Sequence, residues 1–345
     1  MDRGSRRPTI ADVARTAGVG IATVDRVLNR RAEVRRDTAE RVLAAAEAIG
    51  YHGAGLLRRR IEETVESRTF GFLLQRKGDA FYRQLAAALV EAARALPSFR
   101  GKPLVEFVDD ISAETVAAGL LSLGGRCDAV AVVAADHPKV AAAVASLGAR
   151  GVRVVTMLSE LSGGVTFGHV GIDHRKSGRT AAWVISKLAR RPGPVGIFVG
   201  SHRFIGHELS EISFRSYFRE HAPEFRLLEP FANLEEPALA HEGTLELLRR
   251  NPDLVGIYVA GGGMAGLVSA LREARAGHHI VAVCNELIPE TRLALIDQVI
   301  DAVIATPVPE LARATVAIMA NSIRSSTEGE PPVLLPFGLY VSENV

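Results

Sequence analysis

The sequence predicts an α/β protein, with parallel sheets covered on both faces by helices, preceded by a small all-α segment at its amino end. Three observations predict it. From Thr69 onward, short apolar runs alternate with segments whose apolar residues recur every three or four positions, the grammar of strands buried between helices. Before Thr69, apolar residues recur only at helical spacing. Charge divides at nearly the same place. Residues 1–60 carry 13 arginines against 7 aspartates and glutamates, a balance of +6, while the other 285 carry 28 basic and 32 acidic residues.

These features bound the function. A chain of 345 residues, 48% hydrophobic and 23% charged, is globular and long enough for two or three domains. No apolar run approaches the roughly 18 to 20 residues that span a bilayer, and Met1 leads into DRGSRRP rather than an apolar signal core. The expectation is a cytoplasmic protein with no membrane partner. Cys127 and Cys284 stand too far apart for a disulfide framework or a metal motif and are expected to be buried small apolar residues. A basic head on a slightly acidic body suits phosphate neutralisation, so double-stranded DNA is the expected partner and a metabolic enzyme is not.

The first element is Thr9 to Asn29, TIADVARTAGVGIATVDRVLN. Ile10, Val13, Ala14 and Ala17 lie on one helical face, Gly18 breaks the run, and Val24, Val27 and Leu28 resume it. That is a helix-turn-helix pattern. Thr9, counted among the candidate DNA contacts, is also placed to cap the first helix, and the Asp12 carboxylate suits its positive end. Gly18 sits where the turn needs positive φ. The second helix, from about Ile21, turns Ala22, Thr23, Asp25, Arg26 and Asn29 outward, and in such a motif this helix enters the major groove. Ahead of it, Arg3, Arg6 and Arg7 form a basic arm. Behind it, VRRDTAERVLAAAEAIGY places Val42, Leu43, Ala46 and Ile49 on one face of a third helix, and three helices close a small core.

Residues 8 to 51 closely resemble the DNA-binding head of the lactose-repressor (LacI/GalR) family of bacterial regulators, in the strings TIADVARTAGV, TVDRVLN and ERVLAAAEAIGY. The resemblance implies a head joined by a short hinge helix to a two-lobed, periplasmic-binding-protein-like body that dimerises. It places Thr23 and Asn29 on phosphate-contacting positions and Arg26 on a base-reading one, where its fork can engage both acceptors of a guanine. Ile21 and Ala22 fall on the pair that sets operator choice. Both are apolar, which favours thymine methyls over hydrogen-bonded readout. Departures are visible too. Gly20 and Arg35 stand where serine caps are usual, weakening each helix start by up to about 1 kcal/mol, and Asp25 replaces a serine, with a neighbouring arginine as its expected partner. In the hinge, HGAGLLRRRIEETVESR, Gly53 and Ala54 replace the family's Pro-Asn start. Arg60 falls on the position of its minor-groove wedge, near Leu56, Leu57 and Ile61. Arg58, Arg59 and Arg60 are candidate phosphate contacts.

In the body, strands are expected at TFGFLL, PLVEFV, DAVAVVA, VRVVTML, PVGIFVG, FRLLEPF, LVGIYVA and HIVAVC. Two sheets of about four or five strands with right-handed crossovers fit its length. HVGIDHRKSGRTAAWVISKL resembles the family segment that crosses to the second lobe, Pro307 to Ile323 its returning helix, and PPVLLPFGLYVSENV its closing strand. The expected division is a head over 1–52, a hinge over 53–68 and a body over 69–345. Its first lobe takes about 69–167 plus 307–330, and its second about 168–306 plus 331–345.

Ligands bind beyond the carboxyl ends of strands in open α/β sheets. The candidates there are Gln75, Phe81 and Tyr82; Asp136 and His137; Ser159 and Glu160; His202 and Arg203; Asn233; and Asn285 with Glu286. Aromatic faces and paired polar groups suit a polyhydroxylated molecule. By resemblance, Asn285 falls where the family commonly has an aspartate on sugar hydroxyls, and Ser210 where it has an arginine, which Arg203 or Arg215 could replace.

A different chemistry is suggested by Gly261, Gly263 and Gly266 in YVAGGGMAG, a GxGxxG spacing after a strand with Glu286 some twenty residues on. That would fit a nicotinamide-dependent dehydrogenase, except that the fingerprint comes in a late βα unit rather than the first. His207 and Glu208 open HELSE, which lacks the second histidine of a zinc helix, and His278 with His279 reads as a polar turn. No GxSxG is present. The expectation is a homodimeric, ligand-responsive transcription regulator, not an enzyme, with no cofactor, binding a pseudo-palindromic operator and a sugar or polyol effector. A periplasmic solute-binding protein would explain the body equally well but not the head.

Overall fold

A computed structural model describes residues 7–29, 34, 36–64, 66–163, 166–274, 279–325, 327 and 329–345, without the side chains of 36 and 60–64. The chain divides into two compact units. One is Met1–Arg68 with Pro97–Arg100; the other is Thr69–Leu96 with Gly101–Val345.

The first unit holds helices α1 (Ile10–Ala17), α2 (Ile21–Asn29), α3 (Arg36–Ala48) and α4 (Ala54–Thr64). Thr9 and Asp12 form a reciprocal capping box at the start of α1, the Thr9 amide donating to Asp12 Oδ2 at 2.9 Å. Gly18 ends the helix at φ 65°, a conformation open to glycine without a Cβ penalty. Arg41 of α3 donates to the Ala17 carbonyl at 2.7 Å, satisfying a helix-end acceptor and tying the turn to the third helix. The core comprises Val13, Ala14, Val24, Val27, Leu28, Val42, Ala46 and Tyr51, together with Leu57 from α4. The core of the head thus reaches past residue 52 into the segment expected as the hinge. Burial of Leu57 and an Arg58–Glu47 ion pair at 2.6 Å fasten α4 to the head.

The second unit contains two sheets. Its first lobe runs β1 (Ser67–Gln75), α5 (Ala80–Arg94), β2 (Arg100–Val108), α6 (Ala113–Gly124), β3 (Ala129–Val132), α7 (Pro138–Ala149), β4 (Arg153–Met157) and β5 (Gly168–Ile172). The chain then crosses and builds α8 (His174–Leu188), β6 (Pro194–Val199), α9 (Ile205–His221), β7 (Arg226–Leu227), β8 (Phe231–Ala232), α10 (Pro237–Arg250), β9 (Gly256–Val259), α11 (Met264–Ala274), β10 (Val281–Asn285), α12 (Pro289–Ile296) and β11 (Ala302–Ala305). It returns through α13 (Val308–Arg324), which packs on β3, β4 and β5, and β12 (Val333–Leu335), and crosses a third time into β13 (Gly338–Tyr340). The sheet orders are β2-β1-β3-β4-β5-β12 and β7-β6-β9-β10-β11-β13. The pairs β1–β3, β3–β4, β4–β5, β5–β12, β6–β7, β6–β8, β6–β9, β9–β10 and β10–β11 are parallel, and β11–β13 is antiparallel. Each sheet thus reverses direction of winding beside its first strand, the switch point where such folds bind ligands.

Three sequence expectations are corrected here. Residues 168–172 were expected in the second lobe, but β5 pairs with β4 in the first sheet, so the crossing follows Ile172. The closing segment is two strands rather than one. Pro336, which has no amide to donate, separates β12, paired with β5, from β13, paired with β11. FRLLEPF likewise breaks into β7 and β8 around Pro230, each pairing separately with β6. Both cysteines are buried and free, as expected, and burial pushes their thiols up to about 11 at Cys127 and about 12 at Cys284.

Candidate functional site

In the head, burying Val24, Val27 and Leu28 fixes which face of α2 is left open. Ile21, 58% exposed, Ala22, Arg26 and Asn29 are on that face, with Thr23 and Asp25 partly covered beside them. Asn29 Nδ2 donates to Asp25 Oδ1 at 2.6 Å, so the carboxylate and the amide one turn apart hold each other. In α4, Arg58 is engaged by Glu47, Arg59 is exposed, and Leu56 is exposed while Leu57 is buried. The side chain of Arg60 lies outside the described residues, as do Arg3, Arg6, Arg35 and His278.

In the body, the carboxyl ends of both sheets face one cavity, about 640 Å³ including its open mouth. The first lobe contributes Asp79, Phe81, Tyr82, Val133, Leu158 and Ser159, and the crossing after β5 contributes His174. From the second lobe come Phe204 and His207 at the start of α9, Glu235 after β8, Gly261, Gly262 and Met264 after β9, Asn285 and Glu286 after β10, and Thr306 after β11. The lobes touch across it. Arg76 pairs with Glu236 at 2.7 Å and donates to the Leu234 carbonyl at 3.0 Å; the Asp136 amide donates to the Arg203 carbonyl at 2.7 Å. Gly206 N–H reaches Ser159 Oγ at 3.4 Å. The cleft is closed.

Two buried carboxyls dominate the interior. Glu235 Oε1 accepts from the Gly262 amide at 2.8 Å. Its place depends on three glycines, since a Cβ at Gly200, Gly261 or Gly262 would lie 1.7, 2.7 or 2.5 Å from its carboxylate oxygens. Glu286 accepts from Thr306 N at 2.9 Å and Thr306 Oγ1 at 2.7 Å. Burial pushes both carboxyls up to about 7. Burial also holds His174 and His207 down to about 4, so both imidazoles are neutral at neutral pH. His174 Nε2 donates to the Leu158 carbonyl at 2.7 Å. Five of the six non-glycine residues with positive φ among those described, Arg76, Leu158, Leu234, Glu235 and Glu286, border this cleft. Backbone strain is thus concentrated where the cavity is shaped.

Of the thirteen expected pocket residues, Phe81, Tyr82, Ser159, Asn285 and Glu286 line the cavity. Gln75, Asn233 and Ser210 stand behind the wall. Gln75 accepts from Tyr82 OH at 3.2 Å, Asn233 holds the Gly262 carbonyl at 2.8 Å, and buried Ser210 adjoins His174. Asp136, His137, Glu160, His202 and Arg203 are not in the lining. Asp136 braces Ser162 at 2.6 Å, His137 caps α7, Glu160 is exposed, and His202 pairs with Glu211 at 2.8 Å. Arg215, a possible substitute for the family's arginine, is likewise spent on Glu211 at 2.8 Å. Sequence reasoning missed Asp79, His174, His207 and Glu235. The glycines of YVAGGGMAG do connect a strand to a helix, but their reason is local packing. Gly261 and Gly262 make room for Glu235, and a Cβ at Gly266 would lie 2.0 Å from the Pro237 carbonyl oxygen.

Comparison with known proteins agrees with this architecture. Residues 70–327 match the family described as "Periplasmic binding protein domain", and residues 9–53 match "Bacterial regulatory proteins, lacI family". The HTH-type transcriptional regulator GalS of Salmonella typhimurium is 39% identical over 84 residues, 24% of this chain and 23% of that protein. The ribose operon repressor of Bacillus subtilis is 41% identical over 78 residues, 23% of each. The chain matches only about a quarter of the length of such curated relatives. Among solved structures, an ABC transporter solute-binding protein of Agrobacterium vitis bound with α-D-tagatopyranose superposes with a TM-score of 0.74 at 18% identity, covering 81% of this chain and 96% of that one. A periplasmic solute-binding protein of Actinobacillus succinogenes with bound D-allose gives 0.73 at 16% identity, covering 81% and 99%. The chain belongs to the periplasmic binding protein domain family and carries, ahead of that body, a head of the bacterial lacI-family regulatory type.

Proposed function

We propose that the protein is a transcription regulator that binds a pseudo-palindromic operator as a homodimer and answers to a sugar or polyol held in the cleft. The observation that carries this reading is the union in one chain of a capped helix-turn-helix with an open α2 face and a two-lobed body whose cavity is closed by interlobe contacts. Arg26 reads a base edge, Ile21 and Ala22 select the operator through apolar contact, and Thr23 and Asn29 hold phosphates. Thr9, whose side chain caps α1, is a further candidate DNA contact at the start of that helix. Arg59 is available to the backbone, while Arg58 would have to leave Glu47 first.

No covalent step is required of the cleft. A ligand that binds the closed arrangement better than an open one shifts the population between them, and couplings of about 1–3 kcal/mol are typical of such linkage. Solute-binding neighbours with bound sugars support the effector class. A dehydrogenase is not supported, because the glycine-rich turn is occupied in making room for Glu235 and in helix packing. Among the described residues no helix is long and apolar enough to cross a membrane. The test is fluorescence anisotropy of labelled fragments from the gene's own upstream region, at several ionic strengths, with sugars and polyols titrated in. Salt-dependent, sequence-selective retention that one ligand modulates supports the reading. Failure to retain any fragment at any ionic strength overturns it.

A further inference from the structure

The cavity's charge is unusual for a site expected to hold a neutral sugar. Asp79, Glu235 and Glu286 all line it, and its lining contains no arginine or lysine. The Asp79 carboxylate raises the proton affinity of both Glu235 and Glu286. Arg76 lies near enough to act on Glu235 but is committed to Glu236 and the Leu234 carbonyl. Glu235 is also incompletely used. Its side chain is only 9% exposed, Oε1 takes the Gly262 amide, and Oε2 has no hydrogen bond among the described residues. His207 Nδ1 is buried without a hydrogen-bond partner as well. Glu235 lines the cavity, so an acceptor with no protein donor is open there to one that a ligand brings.

The missing charge is not a metal ion by this geometry, since among the described residues no three His, Cys, Asp or Glu side chains are grouped closely enough to share one. The acidic groups are instead distributed around a cavity walled by Phe81, Phe204 and Met264. That combination fits an extended organic cation with apolar C–H faces.

We infer that the effector carries a protonated amine: the cavity, lined by Asp79, Glu235 and Glu286 and, among the described residues, by no arginine or lysine, selects an amino sugar or amino polyol over its neutral counterpart. This rests on the reading of the cleft as the effector site. The ammonium donates to Glu235 Oε2, and the hydroxyls occupy Asn285, Ser159 and Asp79.

The experiment is calorimetric titration of the full-length protein at about pH 7.5 with matched pairs: D-glucosamine and D-glucose, D-galactosamine and D-galactose, 1-amino-1-deoxy-D-sorbitol and D-sorbitol. At least one amine is expected to bind about tenfold or more tightly than its hydroxyl partner. Glu235→Gln, which can keep the Gly262 contact, should reduce that preference at least about fivefold. Asp79→Asn, which still caps α5, provides a second variant if Glu235→Gln does not fold. Equal or tighter binding of the neutral partners overturns the inference, as does a preference unchanged in the folded variants. Silence from all six compounds overturns it too, and leaves the regulator reading to be judged separately by operator retention.

Discussion

Arg26 stands exposed on the open face of α2, where its fork can meet two acceptors of one base. Arg26→Ala is therefore expected to lower affinity for the operator by about 1–3 kcal/mol and relax base preference, while nonspecific, salt-dependent binding falls far less. Anisotropy with operator and scrambled duplexes checks this, and equal loss on both would contradict a base-reading role. In the body the informative residues are the buried acids. Folded Glu235 and Glu286 hold protons up to about pH 7, well above the ordinary carboxyl value of 4.5. The folded chain thus binds more protons than the unfolded one as pH rises through that interval, and these groups make it less stable toward neutral pH. Buried His169, His174 and His207, held down to about 4, work the other way between about 4 and 6.5. Above 6.5 only the carboxyls remain in play. The melting temperature of ligand-free protein should fall between about pH 6.5 and 7.5, and Glu235→Gln should flatten the fall in a thermal melt.

At the scale of elements, α1 depends on its first turn more than its length would suggest, because eight residues make a marginal helix. Thr9→Ala removes one half of the capping box and is expected to cost about 1 kcal/mol. Hydrogen exchange of the α1 amides should quicken about fivefold, with α8 and α9 unchanged. That cap was readable from residue types alone, as were α2 and most strands, because a helical face and a run of Val, Ile and Leu are local patterns. What could not be read was non-local. AVIA of β11 is too short a run to announce itself, and Pro230 and Pro336 split segments that look continuous. Glu235 looks like a loop acid, and its burial follows from Gly200, Gly261 and Gly262, distant from it in sequence. His207 was read as part of an incomplete zinc motif because its fate depends on which side of α9 meets the other lobe. Candidate pocket residues were placed at the correct ends of strands, but only side-chain geometry separates Tyr82, in the wall, from Gln75 behind it.

For the molecule as a whole, the chain divides near Arg68, and among the described residues the head cluster around Val24 and Val42 lies wholly in the first unit while the clusters around Leu120 and Tyr258 lie in the second. A fragment of residues 69–345 is therefore expected to fold and to bind the effector with unchanged affinity in calorimetry while losing all operator retention; an aggregated or ligand-blind fragment would count against the division. Within that fragment no comparable cut exists. The chain passes between the lobes after Ile172, after Ala305 and at Pro336, so the first sheet takes its edge strand β12 from beyond the second, and the second takes β13 from beyond the first. Such lacing lets the lobes rock but never part. Exchanging half of the two-lobed body with a relative's would leave two sheets each short of a strand. New responsiveness is thus acquired either by point changes around the cleft or by transplanting the body entire, joined at the single seam the chain offers.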